Sequence, residues 1–296
     1  MQDIRQALMG DEIILGDGAF GTMLQAQGLP PGVMPEQWNV DNPSAVQAVH
    51  RAYLEVGSQF VTTNTFGGNR LRLESVGLGG RVVELVRLGV ELAREVVDGR
   101  AWVAGGIGPT GHLMEPYGTL SVAVAEEAYA EQAAALVEAG ADFILIETMN
   151  DIEEACAAVR AAKKVSALPV FCTFAFNARG RTMMGLRPED AARRVEEAGG
   201  EAVGANCGEG PQAVAAALQG MRGATKLPLI AQANAGVPKV GEHAQAVWDV
   251  SPEQMAEHVL NFISLGARIV GGCCGTGPGH IAAIAKALGR DADCRY

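Results

Sequence analysis

Three cysteines of this chain stand where thiol chemistry is possible. Cys207 closes the apolar run 202–206 (AVGAN), and Cys273 with Cys274 closes the run 267–272 (ARIVGG). Thiolates are good ligands for zinc, and zinc held by three protein ligands keeps one tetrahedral position open, the mark of a catalytic site. Three thiolates give such a site a net charge of about −1, so it is a poor Lewis acid toward a carbonyl but holds an incoming thiol as a reactive thiolate. That combination favours alkylation of sulfur over hydrolysis. Buried cysteine is also ordinary core packing, and a vicinal pair also suits a redox or metal sensor; both alternatives stay open on these residues alone. Cys156 in a helical pattern, Cys172 within an apolar run and Cys294 near the end read as packing or surface residues.

Ligands this far apart in sequence need a scaffold that brings them together. Four segments, 54–65 (LEVGSQFVTTNT), 137–148 (VEAGADFILIET), 196–207 (EEAGGEAVGANC) and 263–274 (ISLGARIVGGCC), each run from a helical pattern through glycine into a short apolar strand. Aligned on Gly57, Gly140, Gly199 and Gly266, they bring Asn64, Glu147, Asn206 and Cys273 into one column and Thr65, Thr148, Cys207 and Cys274 into the next. Polar residues thus arrive in register at the strand ends. Apolar runs at 12–18, 101–108, 168–174 and 227–234 raise the expected strands to eight, the last two opening on Leu-Pro, where proline is tolerated. Amphipathic helical patterns lie between them at Ser44–Val56, Arg81–Val97, Val124–Ala139, Ile152–Lys164, Pro188–Ala198 and Pro252–Leu265.

Over 296 residues this is about 37 per strand-helix unit, which predicts an α/β chain folded as a single (β/α)8 TIM barrel. The domain is expected to cover 1–296, with a short C-terminal tail at 289–296. Functional groups of that fold gather where strands end and loops begin, which puts the three thiols at one mouth. Adjacent residues of a regular strand face opposite ways, so Cys273 and Cys274 share an ion only if the backbone bends, and Gly271, Gly272 and Gly275 permit the bend. A doubly wound open sheet would ask for GxGxxG after the first strand, and 17–22 (DGAFGT) does not supply it.

Composition sets outer limits. Hydrophobic residues make up 48% of the chain and mean hydropathy is +0.12, which suits a soluble protein with one large core. No uncharged apolar run of about 18 residues occurs, and the N-terminal MQDIRQALMGDEI carries charge where a signal peptide needs its apolar stretch. A cytoplasmic location without membrane association is therefore expected. A formal charge of −11 and a pI near 5.0 argue against a nucleic-acid partner, which needs clustered Lys and Arg.

The motifs 17–22 (DGAFGT), 63–69 (TNTFGGN), 106–111 (GIGPTG), 147–151 (ETMND), 204–210 (GANCGEG) and 271–276 (GGCCGT) resemble those of homocysteine S-methyltransferases, across residues 10–288. The resemblance implies a zinc-dependent TIM barrel with Cys207, Cys273 and Cys274 as ligands and homocysteine as methyl acceptor. It also implies that the amino group of homocysteine meets Asp17 and Glu147, and its carboxylate the backbone N–H groups of Gly18, Ala19, Phe20, Gly21 and Thr22. An ammonium needs carboxylate partners, and a carboxylate is well served by backbone donors in a Gly-containing turn. Apart from the resemblance, Asp17-Gly18 is an ordinary turn and Glu147 a structural acid. Asn234 is expected either to place its side-chain oxygen on zinc until the thiol displaces it, or to be a hydrogen-bonded loop residue before Gly236. Asn64, a candidate substrate contact, is expected with Thr65 and Asn206 to orient the ligands.

Members of the family differ in methyl donor: betaine, S-methylmethionine or a methyl-corrinoid. A quaternary ammonium needs an aromatic cage. The betaine enzymes carry tyrosines directly after the glutamate and in the strand-two loop, where this chain has Thr148 and 67–69 (GGN), so betaine is disfavoured. The stretches 147–151 and 232–236 (QANAG) resemble the homocysteine domain of cobalamin-dependent methionine synthase, which implies a corrinoid carried by a separate protein as donor. S-methylmethionine and betaine remain the alternatives. Trp38, Trp102, Trp248, Tyr117, Phe66 and His112 are weaker donor-pocket candidates and read first as packing or surface cover. No catalytic histidine is expected, because a deprotonated thiol is alkylated without a general base. The rival enzyme class is a phosphate-binding TIM barrel without zinc, since 271–279 (GGCCGTGPG) precedes a helix where many barrels bind phosphate.

Overall fold

The computed structural model describes residues 2–240 and 246–290; Cys294 and the tail from 291 onward lie outside them. Strands β1 (Ile14–Leu15), β2 (Phe60–Thr62), β3 (Trp102–Ile107), β4 (Phe143–Met149), β5 (Val170–Phe174), β6 (Ala202–Cys207), β7 (Leu229–Ala233) and β8 (Ala267–Gly272) form one parallel sheet. Their spatial order is β1-β8-β7-β6-β5-β4-β3-β2, a TIM barrel open only at the β1/β2 seam. Helices α1 (Pro43–Leu54), α2 (Val82–Val97), α3 (Val122–Glu138), α4 (Ile152–Val165), α5 (Pro188–Glu197), α6 (Pro211–Met221), α7 (Pro252–Ser264) and α8 (Pro278–Ala287) follow the strands in turn. The six expected helical patterns all form, with bounds moved by about two residues at most. Helix α6 has no counterpart among those expectations, nor does the short antiparallel ladder of Lys239–Val240 with Ala246–Val247.

The repeating glycine has a mechanical cause. Gly57, Gly140, Gly199 and Gly266 follow the ends of α1, α3, α5 and α7 with φ of +100°, +96°, +94° and +104°. In that left-handed conformation the chain closes a helix and turns back toward the sheet, at little cost only for a residue without Cβ. After α3, for example, Gly140 N–H donates to Val137 O (3.0 Å) and Ala141 N–H to Leu136 O (3.0 Å). Five of the eight helices open on proline, whose missing N–H costs nothing in a first turn.

Apolar layers fill the space on both sides of the sheet. Inside, Phe60 meets Phe143 edge-on (centroids 5.4 Å apart), Phe143 meets Phe171 at a tilt (4.9 Å), and Ile4 of the short helix Ile4–Met9 packs with them. The indole Nε1 of Trp102 donates to Gln2 O at 2.8 Å, tying the N-terminal segment across this floor. The floor closes the end of the barrel where the strands begin. No helix among the described residues is long and apolar enough to cross a membrane.

A single backbone hydrogen bond and several side-chain ones, rather than a ladder, join β1 to β2. Gln59 N–H donates to Leu15 O (2.7 Å) while the Gln59 side-chain oxygen accepts from Leu15 N–H (2.9 Å). The Asp17 carboxylate, just past β1, accepts from Thr62 N–H (2.6 Å) and from the Thr62 hydroxyl (3.0 Å). A buried carboxylate oxygen that loses a donor costs about 1–3 kcal/mol. Thr62→Val keeps the shape and removes that donor, so its urea midpoint should fall by that equivalent; an unchanged midpoint would show that the seam does not depend on the hydroxyl.

Candidate functional site

Strand β7 lies between β6 and β8, so Cys207 and the Cys273-Cys274 pair start two steps of the ~4.8 Å strand spacing apart. Their three Sγ atoms nevertheless lie within 4.8 Å of one another, with Cys207 and Cys274 at 4.0 Å. Two departures from regular strand bring them together. Cys207 adopts φ +54°, rare for a residue with Cβ. Residues 273–276 turn sharply, Thr276 N–H donating to Cys273 O (3.0 Å), with Gly275 at φ +80°. A Cβ at Gly275 would meet the Trp248 ring at 2.2 Å, so Trp248 clamps the turn.

The sulfur spacing fits a metal. Zinc with bonds of about 2.3 Å needs tetrahedral sulfurs about 3.8 Å apart. Behind Cys207, the Asn234 side-chain N–H donates to Gly208 O (3.0 Å), and its oxygen is buried without a partner. Hydrogen bonds from Cys273 and Cys274 pull the Cys207 thiol well below the usual range, and the same contacts push Cys273 and Cys274 up. Three thiolates this close repel one another. A divalent cation lets all three ionise.

These thiols form one wall of a cavity of about 280 Å³ that also reaches residues 17–22, Asn64 and Glu147. The sequence-expected set is thus gathered, with Asn234 just behind the wall. Burial pushes the Asp17 carboxyl up to about 7, against the hydrogen bonds from Thr62. Burial, reinforced by the charges of Asp17 and Cys207, pushes Glu147 up to about 8. Asn206 organises this corner: its oxygen accepts from Thr148 N–H (2.8 Å) and the Thr173 hydroxyl (2.9 Å), and its N–H donates to the Thr148 hydroxyl (2.7 Å). The same N–H group faces Glu147 at 3.4 Å and Cys273 Sγ at 3.8 Å. These bonds hold Thr148 at φ +65°, an outlier for a β-branched residue. Asn64 donates to Pro35 O (2.7 Å) and to the Asn39 side chain (2.8 Å), fixing the 35–41 segment over the cavity.

Other candidates lie elsewhere. Trp102 belongs to the floor, Trp38 packs on the outer core, Tyr117 is 77% exposed and His112 is exposed. Of the six only Phe66 lines the cavity, where its one aromatic companion is Phe20. Two of the amides before α8 are committed: Thr276 N–H to Cys273 O and Gly277 N–H to the His280 ring (3.1 Å). Sequence reasoning missed Glu36, Arg72 and Gln232, which also line the cavity. Glu36 lies in a single 3-10 turn, Pro35–Gln37, too short to give a periodic signal.

A family model described as homocysteine S-methyltransferase matches residues 14–288. Methionine synthase of Mycobacterium tuberculosis is 32% identical over 299 residues, covering 95% of this chain and 25% of that protein. Methionine synthase of Mycobacterium leprae is 31% identical with the same coverage. The chain therefore spans about a quarter of the length of these curated relatives. Among solved structures, the metallated form of the homocysteine methyltransferase MmuM from Escherichia coli superimposes with a TM-score of 0.81 at 25% identity, covering 96% of this chain and 99% of that one. Its apo form gives 0.75 at 26% identity.

Two outcomes follow from the geometry. Reduced protein should bind one zinc per chain, and Cys207→Ser should lower the affinity at least about tenfold by competition with a chromogenic chelator; equal affinity would remove Cys207 from the ligand set. The Glu147 carboxyl lies above its unfolded value, so between about pH 4.5 and pH 8 only the unfolded chain loses the proton, and stability falls as pH rises. In metal-free protein at pH 8, Glu147→Gln should therefore gain about 1 kcal/mol or more by thermal denaturation, with a flatter pH profile. A loss of stability would contradict the assignment of Glu147 as an uncompensated buried acid.

Proposed function

The chain belongs to the homocysteine S-methyltransferase family of methyltransferase enzymes, and we propose that it transfers a methyl group to the sulfur of homocysteine, giving methionine. One observation carries this reading: three converging thiols share a cavity with one buried and one half-buried carboxyl, Asp17 and Glu147, and the backbone of residues 17–22. Such walls suit a small molecule with a thiol at one end and an amino acid group at the other.

Cys207, Cys273 and Cys274 are the proposed zinc ligands, with Asn234 as a fourth while the acceptor is absent. Zinc, when bound, supplies an open position at which a thiol loses its proton and becomes a nucleophile near neutral pH. Glu147 and Asp17 accept from the amino group of homocysteine, and the cationic ligand offsets the repulsion and burial that push their carboxyls up. Asn206 aims Glu147 and steadies Cys273. Ala19 N–H is already committed to Thr276 O (3.1 Å), so the carboxylate role passes to Gly18, Phe20, Gly21 and Thr22. The chain's contribution to rate is positional, holding acceptor sulfur and methyl carbon in line. A reducing, cytoplasmic setting is proposed with it, because the thiols must stay reduced.

The donor comes from outside the chain. A corrinoid on a separate protein is the donor implied by the resemblance, and the likeness of 95% of this chain to a quarter of methionine synthase supports it. A small free cationic donor is the second reading, favoured by the charged wall at Glu36 and Arg72. Zinc-loaded protein incubated with homocysteine and, separately, methylcobalamin, S-methylmethionine or betaine should form methionine with one of the first two. Cys207→Ser should lower that rate at least about a hundredfold, and Glu147→Gln should raise KM for homocysteine about tenfold. Methionine formation undiminished in Cys207→Ser would refute the mechanism.

A further inference from the structure

Helix α1 meets residues 18–20 through two side chains one turn apart, His50 and Tyr53. Both are fully buried. The His50 ring packs against Phe20 with centroids 5.0 Å apart. The Tyr53 hydroxyl lies 2.6 Å from Ala19 O and 3.1 Å from Thr276 O. A hydroxyl has one proton to donate, and Thr276 O already accepts the Ala19 N–H at 3.1 Å, so the Tyr53 proton goes to the nearer carbonyl, that of Ala19. A Cβ at Gly18 would meet Thr276 Oγ1 at 2.8 Å and the Tyr53 ring at 3.0 Å. The segment is therefore pressed against its backing with no slack.

The Tyr53 bond sets the direction of the donor that follows it. In a trans peptide the C=O and the N–H point opposite ways, and the Ala19–Phe20 bond is trans. Ala19 O is turned outward to α1, so the N–H of the same peptide, that of Phe20, is turned toward the cavity that Phe20 lines. Phe20 N–H donates to no group among the described residues, whereas Ala19 N–H is committed to Thr276. We propose that Tyr53 is a positioning residue for the acceptor: by holding the Ala19 carbonyl outward, it aims the Phe20 N–H at the carboxylate of homocysteine. The proposal rests on the homocysteine reading. Without the hydroxyl, Ala19 O loses its donor and the peptide is free to turn. A carbonyl oxygen turned inward would face the carboxylate as a second acceptor, and the hydrogen bond to Phe20 would be lost.

The test is calorimetric binding of two thiols to the zinc-loaded full chain. One is L-homocysteine; the other is 3-aminopropane-1-thiol, which keeps the thiol and the amine at the same spacing and lacks the carboxylate. Tyr53→Phe removes only the hydroxyl. It should weaken homocysteine about fivefold or more, while 3-aminopropane-1-thiol stays within about twofold of its wild-type affinity. Equal losses for both thiols overturn the proposal, because the hydroxyl would then serve only the fold or the Cys273-Cys274 turn. An undiminished affinity for homocysteine overturns it as well. If Tyr53→Phe fails to fold, amide NMR of the wild type decides: homocysteine should move the Phe20 amide proton downfield, and 3-aminopropane-1-thiol should leave it in place. A Phe20 amide that moves with both thiols, or with neither, refutes the aim. Wild type that does not bind homocysteine refutes the acceptor reading and the role of Tyr53 with it, whereas homocysteine bound equally well by wild type and Tyr53→Phe refutes the role of Tyr53 alone.

Discussion

Three thiols crowded into one half-buried corner oppose one another's ionisation unless a cation joins them, and most of the mouth of this barrel is arranged around that constraint. The contacts that pull the Cys207 thiol down push Cys273 and Cys274 up. Bringing the sulfurs within 4.8 Å takes a left-handed Cys207, a tight turn under Trp248 and an amide from Asn234. The left-handed backbone at Cys207 is a local cost that the neighbouring hydrogen bonds offset.

The same logic extends to the carboxyls. Asp17 and Glu147 are held in a place that opposes their ionisation, and Asn206 contacts Glu147, Thr148 and Cys273 at once. A single amide thus couples the aim of a cavity carboxyl to the aim of a cavity thiol. Local cost concentrated at a site and offset by the surrounding fold is the usual signature of pre-organisation.

Much of this architecture was legible before any coordinates, because it rests on repetition. The glycine that starts each of four repeats is a helix terminator, and counting from it put Glu147, Asn206 and Cys273 in one column and Thr148, Cys207 and Cys274 in the next, where strands end. Helix periodicity set six helices to within a turn, yet missed α6, a short alanine-rich segment. Illegible were features that depend on distant segments meeting. That Asp17 meets Thr62, or that a lone acid in a three-residue turn is 1% exposed, has no local trace in sequence.

Asp17 has two attachments, and they meet in one carboxylate. It fastens the gap where the sheet lacks a backbone ladder, and it faces the cavity. Any guest that draws on this side chain therefore tugs on the clasp of the hoop, so that occupancy and tightness of the ring become one mechanical variable. The amide proton of Thr62, sheltered by that clasp, is the natural gauge of it.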